Sequence, residues 1–126
     1  MNDLQLFKKL LAYIFFSRPI LKTERFNDIW WDLDGLRDYL AGPLYNIQTE
    51  GNCNYVYTDE EGRFPGVDSP EMFLKWCLDT VDKCRDILMK HQPENFNEEA
   101  DFETIIRQID GMEVLSHLAY RIESEQ

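Results

Sequence analysis

Two histidines, His91 and His117, and three cysteines, Cys53, Cys77 and Cys84, stand against 24 Asp and Glu in this 126-residue chain. Their spacing speaks against catalysis. Glu113 and His117 lie four residues apart where the pattern is helical, so they can share a face; such a pair reads as structural rather than as a metal or acid/base site. A di-metal bundle would repeat Glu-x-x-His along its helices, and no such motif occurs. The cysteines are odd in number and lack Cys-x-x-Cys, which argues against a disulfide framework and against zinc. Cys77 and Cys84 sit two turns apart on an apolar face, where cysteine acts as a small hydrophobe. Cys53 lies in a more polar stretch and has no histidine near it in sequence. Neither Asp28 to Tyr39 nor Asp59 to Pro70 has the oxygen ligands, central glycine and final glutamate of a calcium loop. Gly62 and Gly66 precede no Lys-Ser or Lys-Thr, so no phosphate cradle is formed. Carboxylates are so numerous that no one pair stands out as an acid/base dyad. The expectation is a non-enzyme with no catalytic residue, no metal and no cofactor. A cavity joining His91 or His117 to two or more acids would instead point to a small enzyme or a metal-dependent regulator.

Binding chemistry is better represented. Between Tyr55 and Pro70 acids and aromatics stand side by side: Tyr55, Tyr57, Asp59, Glu60, Glu61, Phe64 and Asp68. Rigid aromatics supply contact area and carboxylates steer and pair with Lys or Arg, so these seven form the candidate surface for a basic protein partner. In the competing reading, Tyr55 and Phe64 cap the core and the acids are a solvated turn. Net charge supports a basic partner: 13 Lys and Arg leave the chain at −11, which repels nucleic acid and anionic lipid. The charge is also uneven. Residues 1–25 hold five basic and two acidic side chains, a charge of +3, leaving −14 for the remainder.

The elements that must position this stretch are helical. Leu4, Phe7, Leu10, Leu11 and Ile14 predict a helix over 3–17, with Leu6, Tyr13, Phe15 and Phe16 widening its apolar face to two sides; Pro19 ends it. Thr23 caps a second helix through Phe26, Ile29, Trp30, Leu33, Leu36 and Leu40, with Asp28, Asp32, Arg37 and Asp38 opposite and Gly42-Pro43 as its stop. Leu44 to Thr49 and Cys53 to Thr58 predict a small hairpin, with helical continuation through Leu44, Tyr45 and Ile47 as the competitor. Asp68-Ser69-Pro70-Glu71 opens a third helix to about His91. Glu94 to Asp101 reads as an acidic linker that caps, through Asn95 or Asn97, a last helix running from Phe102 to Ile122. Gly111 in that helix marks a close contact or a kink. The expected fold is therefore mainly α, one domain over 1–126 resembling a four-helix bundle, with an irregular or hairpin insertion between helices 2 and 3. The apolar run Leu10 to Phe16 lacks a cleavage site and is too short to span a bilayer, so the expected compartment is a reducing cytoplasm.

Tyr55-Val56-Tyr57, an acidic turn with Gly62, and then Asp68-Ser69-Pro70 opening a helix resemble a region of the colicin-DNase immunity proteins. The likeness covers about residues 55–78; Val56 separates the tyrosines and this chain is the longer. Those proteins are small, acidic, four-helical bacterial inhibitors of nuclease toxins, and the resemblance implies that Tyr55, Tyr57 and Asp59 face the toxin. The expected function is thus an immunity or antitoxin-type inhibitor that occludes a basic toxin's substrate site. The alternative is a phage-type nucleic-acid mimic, an anti-CRISPR or anti-restriction inhibitor, whose carboxylates would run in a phosphate-spaced stripe rather than cluster around aromatics.

Overall fold

The computed structural model describes residues 2–50 and 69–125, which form four helices: α1 (Asp3–Phe15), α2 (Glu24–Glu50), α3 (Pro70–Met89) and α4 (Phe96–Ser124). The chain is mainly helical, as its periodicity predicts, and the described residues contain no strand. Of the expected hairpin, the first arm is helical and the second lies outside the described residues.

α4 is the organising helix, packing against each of the other three, whereas α1 and α3 do not meet. Its buried stripe runs Ile105, Ile109, Met112, Leu115, Ala119 and Ile122. It also starts earlier than expected: the Asn95 side chain accepts from the Glu98 amide at 2.9 Å, so residues 96–101 are helix rather than linker. Glu98 and Asp101 then fall on the core-facing stripe and are buried. Asp101 accepts from the Lys22 amide at 2.7 Å, the Thr23 amide at 2.8 Å and the Thr23 hydroxyl at 2.7 Å. Glu98 meets Arg25 at 2.6 Å and the Glu94 amide at 2.9 Å. These bonds hold the α1–α2 connection and the start of α2 on the first turns of α4.

α2 does not stop at Gly42-Pro43 but continues to Glu50. Pro43 cannot donate to the carbonyl four residues back, a loss of about 3 kcal/mol in an isolated helix. Beyond it Leu44 and Ile47 are fully buried, each gaining roughly 1.5–3 kcal/mol, and this tertiary burial outweighs the local penalty. α1 differs from expectation in the other direction. Only Phe7, Leu11 and Ile14 are buried, while Leu6, Tyr13 and Phe16 stay exposed; among the described helices α1 packs against α2 and α4 but not against α3. In α3, Ser69 accepts from the Met72 amide at 3.2 Å and Pro70 occupies the first turn.

Gly111 marks a close helix contact: a Cβ there would lie 2.3 Å from Ile14 Cδ1 and 2.9 Å from Ile14 Cγ1. Ile14 is itself buried and cannot swing clear. Gly111→Ala therefore lowers stability by about 1–2 kcal/mol in urea unfolding, the overpacking outweighing a helix-propensity gain of about 1 kcal/mol. In an Ile14→Val background, which lacks Cδ1, the same substitution costs less; strictly additive effects would contradict the contact.

Candidate functional site

All seven residues expected to bind the partner, Tyr55, Tyr57, Asp59, Glu60, Glu61, Phe64 and Asp68, lie outside the described residues. Immediately after that stretch, the first three turns of α3 repeat its chemistry. Glu71, Leu74, Lys75, Leu78, Asp79 and Asp82 fall at helical spacing on one face, and with Tyr120 of α4 they line an open groove of about 570 Å³. Leu74 and Leu78 are only half buried and form the apolar floor. The Tyr120 hydroxyl donates to Glu71 Oε1 at 3.3 Å. Lys75 is answered by Asp79 at 2.9 Å, and that hydrogen bond holds its ammonium pKa above the ordinary value. Glu71, Asp79 and Asp82 against one lysine leave the groove acidic. The contribution of Tyr120 from α4 carries no local signal in the sequence.

A second concavity, of about 220 Å³, opens between the end of α1 and the middle of α2. Phe15, Phe16, Ser17, Arg18, Trp30, Trp31, Asp34 and Arg37 line it. Arg37 was expected on the polar face, yet it is only 3% exposed. Its Nη1 donates to Asp34 at 2.7 Å and its Nη2 to the Ile14 carbonyl, so a side chain of α2 caps the last turn of α1 at the negative end of its dipole. The guanidinium stacks over Trp30 at 4.4 Å and Phe15 at 4.9 Å. Burial pulls its pKa down and Asp34 pulls it back up. The missed signal lay in the register: Phe26, Trp30, Leu33, Leu40, Leu44 and Ile47 follow alternating steps of four and three, and residue 37 completes the series.

Among the described residues no group of three or more His, Cys, Asp and Glu could hold a metal ion. The expected Glu113–His117 pairing is replaced: Glu113 accepts from Arg85 at 3.4 Å, as does Asp110 at 2.9 Å, tying α3 to α4. No described helix is long and apolar enough to cross a membrane. No family model matches the chain, and neither a curated protein nor a solved structure matches it at a significant level.

Cys77 and Cys84 are unpaired and buried. Burial pushes the Cys77 thiol up to about 12, the Ser116 contact only partly offsetting it, and pushes Cys84 up to about 11 against the opposing pull of Arg37. Folding thus favours the protonated thiols, a contribution present below the unfolded value near 8.5 and lost as pH rises through 11. In a Cys53→Ser variant at pH 8, a thiol reagent is expected to label neither cysteine until denaturant is added, and then both. Labelling of the folded protein at the unfolded rate would contradict the assignment.

Proposed function

We propose that the protein is a non-catalytic inhibitor of the immunity or antitoxin type, which neutralises a basic bacterial toxin, a nuclease above all, by occluding its substrate-binding site. The supporting observation is the α3–α4 groove, in which Glu71, Asp79 and Asp82 cluster around Leu74, Leu78 and Tyr120. Part of it, Glu71 to Leu78, belongs to the segment that resembles the colicin-DNase immunity proteins. Acids grouped about apolar anchors suit a protein surface, with long-range attraction from the carboxylates and short-range contact from Leu and Tyr. A nucleic-acid mimic would string its carboxylates along an extended stripe instead.

In this reading the groove acts together with the acid and aromatic stretch Tyr55 to Asp68, which precedes α3 in the sequence. A toxin site built for phosphate carries positive charge, so an acidic inhibitor gains both attraction and competition, and at low salt association rises well above the neutral rate. Two unpaired buried thiols suit a reducing bacterial cytoplasm.

The test uses the partner this reading requires, a basic nuclease domain encoded beside the protein. Replacing Glu71, Asp79 and Asp82 with Gln, Asn and Asn, or Asp59, Glu60 and Glu61 with Ser, leaves helicity unchanged. Each set weakens binding by about tenfold or more and flattens the dependence of affinity on salt. Unchanged affinity in both would overturn the proposal.

A further inference from the structure

The α1–α2 cleft has no role in the proposed inhibition, and its chemistry is opposite to that of the groove. Two guanidiniums face one carboxylate, and that carboxylate, Asp34, is already engaged by Arg37. Among the described residues Arg18 has no carboxylate within ion-pair distance. Its Nη2 donates to Asn27 Oδ1 at 3.0 Å, and its guanidinium lies 4.4 Å over the Trp31 ring, which leaves its other N–H groups open. Deeper in the wall, the buried Arg37 Nε finds no acceptor among the described residues. A buried unmatched donor is costly, and a chain with 24 acids has had every opportunity to supply an acceptor. Phe16 and Trp31 meanwhile remain 59% and 51% exposed at the rim.

We propose that this cleft binds a small aromatic carboxylate. The ring would lie against Phe16, Trp30 and Trp31, and the carboxylate would take the open edge of the Arg18 fork, the geometry in which arginine recognises carboxylates best. A volume of about 220 Å³ admits one ring with a short acid arm. That is below the roughly 300 Å³ at which drug-sized sites begin, which suits a small acid.

The probe is 3-phenylpropionate, followed by ¹H–¹⁵N spectra of the full chain. Saturable shifts are expected at the indole N–H groups of Trp30 and Trp31 and not at that of Trp76, which lies on α3. Phenethylamine, with the ring and the opposite charge, should give no saturable shift. Arg18→Gln, at an exposed position, should weaken 3-phenylpropionate at least about tenfold while helicity is kept, whereas Lys22→Gln should change nothing. The proposal is overturned if phenethylamine binds equally well, if Arg18→Gln is silent, or if no saturation is reached at millimolar probe. Tighter binding of a dipeptide ending in phenylalanine would likewise overturn it, by assigning the cleft to a polypeptide C-terminus.

Discussion

Asp101 is the side chain on which the arrangement of the other helices depends. It projects from the second turn of α4, is 1% exposed, and gathers two backbone amides and a hydroxyl from the chain that enters α2. Hydrogen bonds to a charged acceptor contribute roughly 1.5–3 kcal/mol, and removing the acceptor would also leave part-buried donors without it. The neighbouring Glu98–Arg25 pair repeats the tether one turn earlier. Because these contacts hold the N-terminal end of α2 on α4, the α2 stripe reaches the core in one register only. Arg37 then arrives beneath the last turn of α1 and closes the third side of the bundle.

Much of this architecture was legible in the residues. The apolar series of α4 and α3, the capping by Asn95 and Ser69, and the close approach at Gly111 all follow from spacing and residue type. The failures share one cause. Glu98, Asp101 and Arg37 were assigned by charge to a linker or a polar face, yet each falls at a position that continues a 3-4 core stripe. Charge outvoted register in the reading, whereas in the fold each charge found its partners inside the bundle. Pro43 misled in the same way, since a local helix-breaker was weighed without the burial of Leu44 and Ile47 beyond it. The groove was not visible as a unit, because Tyr120 comes from a helix some forty residues away, which periodicity cannot reveal.

The charge distribution connects this frame to function. The interior buries few charges, so the excess of acid is left to the surface, where it destabilises the folded state by self-repulsion. Such a surface is explained when a basic partner relieves that repulsion. The α3–α4 groove joins carboxylates to an apolar floor, and the α1–α2 cleft sets two guanidiniums against one carboxylate. Two surfaces of opposite character on one small bundle suit one macromolecular partner and one small anion.

The central claim is that a basic toxin is held on the α3–α4 face. Hydroxyl-radical footprinting of the complex tests this most directly, because it reports side chains rather than helix stability. The account predicts that oxidation of Leu74, Leu78 and Tyr120 falls on complex formation, while Trp31 and Met89 are oxidised as in the free protein. Protection confined to Trp31 and Phe16, with Leu74, Leu78 and Tyr120 unchanged, would contradict it.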